Sequence, residues 1–416
     1  MARPLRIARV NRVDRVVHRL RPGRAAVSVV AVTLLLATSA CSSDDTGAND
    51  DGPAATGDTG STDDTTVSPA VVDQLAEWSD RGPHGVGSVQ LDLAGRRTVV
   101  WYPAEEGAGT EEPLETFDIT GLLSPELQAE VPADMRVQHP IAARPGAEPA
   151  TGGPFPVVLF SHGFAGFPEQ SASLTTHLAS WGYVVAATDH VERSLSGLLG
   201  TGAQGVEAAE DDEVLSDLLD LVALQADDPT SPLAGLVDLE HVAATGHSAG
   251  AAASYTVAST DDRIDAFVAY SLRGPEEVDV PTVPGLVMLG ELDATIEPDI
   301  TQAAYDAMAT PRYLLSVADA GHLVFSDVCL IGRDQGGLVG IVESIGLDIP
   351  ADLLSLASDG CQDDLPPVED AFGAIDALSV AFLRTYLDDD DAAAASLVPE
   401  AVSAQDGWPA TLTAHP

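Results

Sequence analysis

Three side chains able to run acyl transfer follow one another along the chain: a serine, an aspartate and a histidine. Ser248 lies in "GHSAG" (246–250), between the apolar run "HVAAT" and the small-residue stretch "AAASYTVAS". A tight glycine-serine-glycine turn from strand to helix lifts a hydroxyl clear of the sheet, ready to attack a carbonyl carbon. Asp293 in "GELDATI" comes 45 residues later, and His322 in "ADAGHLVFSD" another 29 after that. A neutral imidazole takes the proton of a weak hydroxyl nucleophile, and a carboxylate fixes that imidazole's tautomer. Ser248, His322 and Asp293 are therefore the candidate nucleophile, base and orienting acid.

Acyl transfer also needs donors for the oxyanion of its tetrahedral intermediate, and two backbone N–H groups aimed at one point supply them. One belongs to Ala249, after the nucleophile, and the other is expected from Phe164 in "FSHGFAG" (160–166). Other acids and histidines fit less well. His247 adjoins Ser248 on a sharp turn and is expected to point away from it. Asp189 and His190 in "TDHVERS" read as loop residues, and His162 as a side chain bracing its turn. Glu291 stands an odd offset from Asp293, which aims it elsewhere along an extended segment.

These residues share one setting, the end of an apolar run. "FPVVLF" (155–160), "YVVAAT" (183–188), "HVAATG" (241–246) and "GLVMLG" (285–290) are short, continuous and closed by turn residues, as strands buried on both faces are. Helical patterns at 171–180, 214–224 and 249–259 fall between them. "RIDAFVAYS" (263–271) and "RYLLSV" (312–317) add strands, and 368–387 a closing helix. Alternation of this kind predicts an α/β fold with a mostly parallel, doubly wound sheet flanked by helices. In such sheets ligands bind beyond the carboxyl ends of the strands, where the candidate residues stand. "SVQLDLAGRRTVVWYPA" (88–104) reads as one antiparallel opening strand, with a short helix expected near 124–131.

"GPHGVGSVQLDLAGRRTVVWYPA", "FPVVLFSHGFAGFPEQSASLTTHLASWGYVVAATDH", "VAATGHSAG", "VPGLVMLGELDATI" and "AGHLVFSD" together resemble the bacterial branch of the platelet-activating-factor acetylhydrolase type of α/β-hydrolase. That group is related to dienelactone hydrolases and cutinase-like polyester hydrolases. The resemblance spans most of 82–387. It implies an α/β-hydrolase fold and ester hydrolysis by a Ser248–His322–Asp293 triad, with Phe164 and Ala249 as oxyanion donors. Two departures stand out. Where the animal lipid acetylhydrolases carry their acid, this chain has "AFVAYSL", without a carboxylate. Ala251 replaces a glycine often found after the elbow. Ser248 excludes the cysteine chemistry of dienelactone hydrolases.

The first forty residues differ from the rest. A basic leader precedes the apolar, uncharged run Ala25–Ala40, which is short for a permanent membrane span and fits an export signal. "LLLATSAC" resembles the lipobox of bacterial lipoproteins, with Thr38 where leucine is usual; the resemblance implies lipidation of Cys41 and a location at the outer face of a bacterial cell membrane, with simple secretion the alternative. The expected organisation is a signal peptide (1–40), an acidic Ser/Thr/Gly tether (41–68), a catalytic domain (69–387) and an acidic, Ala- and Pro-rich tail that frays (388–416). In an exported chain the remaining cysteines, Cys329 and Cys361, are expected to pair, closing an insert over 329–361 near the active-site rim.

Three cysteines without ligand spacing make no metal site, and the chemistry requires no cofactor. All 19 basic residues are arginine, and the formal net charge is −46. Such a surface repels nucleic acid and anionic membranes, leaving a lipid anchor as the membrane contact. The partner is then a small-molecule or polymeric ester. The insert is rich in Leu, Ile and Val, which suits either a cap over an apolar or lipid-like acyl group or packing of the insert onto the neighbouring helix. A polyester hydrolase and a non-catalytic binding lipoprotein on the same scaffold are the alternatives.

Overall fold

The computed structural model describes residues 67–346 and 350–416. The expected signal peptide, Cys41, and the tether as far as Thr66 lie outside the described residues. The strands, in chain order, are β1 (Gly85–Leu93), β2 (Arg96–Ala104), β3 (Glu115–Phe117), β4 (His139–Ile141), β5 (Arg144–Pro145) and β6 (Phe155–Ser161). They continue with β7 (Val184–Thr188), β8 (Val237–His247), β9 (Ala266–Tyr270), β10 (Gly285–Gly290), β11 (Arg312–Val317) and β12 (Ala410–His415). Ten of them form one sheet in the order β12-β11-β10-β9-β8-β6-β7-β2-β1-β5, while β3 and β4 pair separately. Neighbours from β7 through β6 to β11 run parallel.

The continuous apolar strands divide their side chains between two cores. In β6, Val158 and Phe160 face one core and Val157 and Leu159 the other, as the two-residue period of a strand requires. Helices Ala172–Ser180 and Glu369–Leu387 cover the first face through Leu174, Leu178, Ile375, Leu378 and Phe382. Helices Asp211–Asp227 and Ala249–Thr260 cover the second through Leu215, Leu219, Ala251 and Val257. From β6 the chain crosses to β7 on one side and then to β8 on the other. The sheet changes direction there, and the crevice between β6 and β8 is where this architecture places ligands.

Two expectations are corrected. The single opening strand is a hairpin: Ala94 (φ 51°) and Gly95 (φ 92°) make a two-residue turn that pairs Leu93 with Arg96. Positive φ at both positions is what such turns demand, and the alternating pattern continued across it without a break. The C-terminal segment does not fray. β12 pairs antiparallel with β11 along its whole length, and Ala393, Leu397, Ala401 and Val402 join the core. Without it, β11 would present an open edge of unpaired N–H and C=O groups. The insert consists of helices Gly337–Ser344 and Ala351–Leu356, closed by the Cys329–Cys361 disulfide.

Candidate active site

Ser248 stands at the end of β8 with φ 59° and ψ −118°, a conformation costly for a residue with a Cβ. The turn is so tight that a Cβ at Gly246 would lie 2.2 Å from the Gly250 carbonyl oxygen, and one at Gly250 would lie inside Ser161 backbone. Glycine at both positions is therefore obligatory. Helix Ala249–Thr260 begins immediately after Ser248, so the positive end of its dipole lies under the hydroxyl.

Asp293 and His322 arrive from the ends of β10 and β11 and are almost wholly buried. Asp293 Oδ2 accepts the Nδ1–H of His322 at 2.8 Å and the hydroxyl of Ser271 at 2.8 Å. Its Oδ1 accepts the N–H groups of Thr295 (2.9 Å) and Ile296 (2.7 Å). Burial alone would raise its pKa, but the bond and charge of His322, with these other donors, hold the carboxyl below its ordinary value. With Nδ1 engaged, His322 Nε2 is the free nitrogen. It is buried and has no hydrogen-bond partner among the described residues. His322 and Ser248 line the same small cavity of about 60 Å³, together with Phe164, Gln170 and His247. The three candidates from distant stretches of sequence thus meet at one rim of the sheet. Glu291 is exposed, and neither it nor Asp189 nor His190 lines this cavity.

The oxyanion side is built from β6. Phe164 and Ala249 donate their N–H groups to no acceptor among the described residues. The direction of the Phe164 N–H is set from behind. The Gly163 carbonyl, across the same peptide plane, accepts His162 Nδ1–H at 2.8 Å and Arg193 at 3.0 Å. A planar trans peptide points its C=O and N–H in opposite directions, so pinning one aims the other. Arg193 also bonds the His162 carbonyl and Ser161 Oγ, and an ion pair with Asp211 neutralises it. His162 accepts the His190 N–H at 3.1 Å on Nε2. Asp189 is occupied by Ser196, and His190 Nε2 lies 3.0 Å from Ser161 Oγ.

Residues 90–216 match the family model of platelet-activating factor acetylhydrolase, isoform II. The match supports a relationship to that α/β-hydrolase family and, with it, an ester-hydrolysing serine hydrolase. No curated protein matches the chain significantly. The matched stretch holds the Gly163–Phe164 turn and Arg193 and ends before Ser248, so the candidate roles of Ser248, Asp293 and His322 rest on geometry.

Three supporting residues escaped the sequence reading. Gln170 accepts the Gly163 N–H at 2.9 Å and donates to His247 Nδ1 at 2.8 Å, and His247 Nε2–H bonds the His322 carbonyl at 2.9 Å. One chain of hydrogen bonds therefore runs from the oxyanion turn through the residue before the nucleophile to the base. Burial, with the neighbouring His322 second, lowers the His247 pKa to about 3 and keeps it neutral. Arg193 is the second such residue; a lone arginine just after a strand, in a chain so poor in cations, was the available signal. Asp359 is the third. Its Oδ2 accepts the Ala294 N–H and the Thr295 hydroxyl, and its carbonyl accepts the Leu323 N–H, joining the acid's loop to the base's.

Proposed function

We propose that this chain is an exported serine esterase that cleaves carboxylic esters through an acyl-enzyme. The observation that carries the reading is the His322 imidazole, fixed by Asp293 on Nδ1 and open on Nε2, facing the same cavity as a serine on a strained strand-to-helix turn. Ser248 Oγ bonds to the ester carbonyl carbon while its proton passes to His322 Nε2. The carbonyl oxygen takes the negative charge against the Phe164 and Ala249 N–H groups. As the intermediate collapses, the C–O bond to the alcohol breaks and His322 returns the proton to the leaving oxygen. Water, deprotonated by the same imidazole, then attacks the acyl-enzyme and frees the acid and Ser248.

Export rests on the leader, 1–40, and lipid anchoring on Cys41, with 41–68 as the tether. The Cys329–Cys361 pair supports an oxidising compartment. The decisive assay is hydrolysis of p-nitrophenyl butyrate by wild type and Ser248→Ala. Loss of kcat/KM by about 10⁴-fold or more is expected, and equal turnover by the two proteins removes the esterase reading.

A further inference from the structure

The cavity at Ser248 has room for little beyond the ester group itself, so the rest of the substrate must leave through one of its walls. A second hollow lies against one of these walls. A groove of about 290 Å³ runs beside the catalytic cavity and shares Ala165, Leu338, Leu353 and Ala357 with it. Its sides come from Ile119 and Leu123, from the Leu195–Leu199 turn, and from both helices of the disulfide-closed insert. No charged side chain among the described residues lines it. The Thr120 hydroxyl, in this lining, is already bonded to Asp118. Leu198, in the lining, is 47 % exposed, an unusual position for leucine in a surface carrying this much acid.

We propose that this groove holds the acyl chain, and that the substrates are esters of medium- to long-chain apolar acids. The inference rests on the esterase reading. The direction follows from the oxyanion turn. The groove passes Ala165, next to Phe164, and includes neither His322 nor Leu323. The leaving alcohol must stay near His322 Nε2 to receive its proton. An ester seated with its carbonyl oxygen on the Phe164 and Ala249 N–H groups therefore sends its acyl part into the groove. At about 30 Å³ per water-sized group, the groove takes a chain of roughly eight to ten carbons. The leucine, isoleucine and valine among the described lining offer such a chain burial, so the chain is selected by its length.

Two substrate series test this on the intact protein. With p-nitrophenyl esters from acetate to decanoate, kcat/KM is expected to rise by up to about fourfold per methylene and to level off near ten carbons. With alkyl acetates, in which the chain sits on the alcohol, it is expected to stay nearly flat. Leu198→Asp, at an exposed position that folding tolerates, should lower the decanoate-to-acetate ratio at least tenfold. A flat acyl series, a rise on the alcohol series instead, or an unchanged ratio in the variant overturns the groove's assignment while leaving the esterase in place. Absence of Ser248-dependent turnover on every ester, acetate included, overturns the esterase reading first and the groove with it.

Discussion

Ser271 donates its hydroxyl to Asp293 Oδ2, the same oxygen that receives the Nδ1–H of His322. It follows β9 directly, and its hydroxyl supports a carboxylate that follows the next strand, β10. Ser271 adopts φ 54°, so glycine relieves backbone strain at this position while removing the donor. Ser271→Gly should lower kcat about tenfold with the melting temperature unchanged or raised. Asp293→Asn should cost about 10³–10⁴-fold, because the amide selects the wrong imidazole tautomer. Steady-state kinetics and thermal melts on both variants check this. Equal losses would mean that Ser271 does more than steady the acid.

Gln170 bonds both the oxyanion turn and His247. Gln170→Leu strands the Gly163 N–H in the interior and breaks the chain to the His322 carbonyl. The expected result is a fall in kcat of about 10–100-fold with KM within about threefold. Gln170→Glu, which keeps the acceptor and loses the donor, should fall between. A KM effect without a kcat effect would place Gln170 in substrate binding instead.

Arg193 is buried and makes four kinds of contact: Asp211, the carbonyls of His162 and Gly163, and Ser161 Oγ. Lysine keeps the charge but has no planar fork to reach all of them. Arg193→Lys should lower kcat about 100-fold, the scale of losing one oxyanion donor, with a measurable loss of stability. Binding of a transition-state analogue that places an oxyanion in the hole should weaken in parallel. Retention of full analogue affinity would separate Arg193 from the hole.

Acid should destabilise the fold before the carboxylates titrate. Burial lowers His177 from 6.5 to about 4, and His190 and His247 to about 3. The unfolded chain takes these protons near pH 6.5 and the folded one refuses them. Their contribution is complete above about pH 6.5 and is lost as pH falls toward 3–4. Asp376, raised well above its ordinary value by burial and by the nearby charge of Asp327, works in the opposite sense. Urea denaturation at pH 7 and pH 5 should show the lower stability at pH 5, and His177→Gln should flatten the difference. A variant slope equal to that of wild type counts against the assignment.

The site was legible where chemistry follows a strand. Ser248, Asp293 and His322 each stand just beyond an apolar run bounded by glycine or turn residues, so type and spacing marked them together. Arg193, Gln170 and Asp359 act through backbone groups, and no pattern in the sequence says which carbonyl or N–H lies beside them. The hairpin at Ala94–Gly95 was hidden because a two-residue turn preserves the alternation of its strands. β12 was hidden because its six residues carry a single buried apolar side chain, Leu412, behind an acidic segment. Its stability comes from pairing with β11, a partner nearly a hundred residues away, which local propensity does not record.

Cys361 lies two residues beyond Asp359, whose bonds join the loops of Asp293 and His322, while Cys329 closes the base's own loop. The crosslink therefore fastens the far side of the candidate site as well as the wall of the groove. Under the esterase proposal, material made in a reducing cytoplasm would carry the same site residues and is expected to differ from oxidised protein in turnover. Preparations of this protein are thus comparable only when their thiol content has been measured.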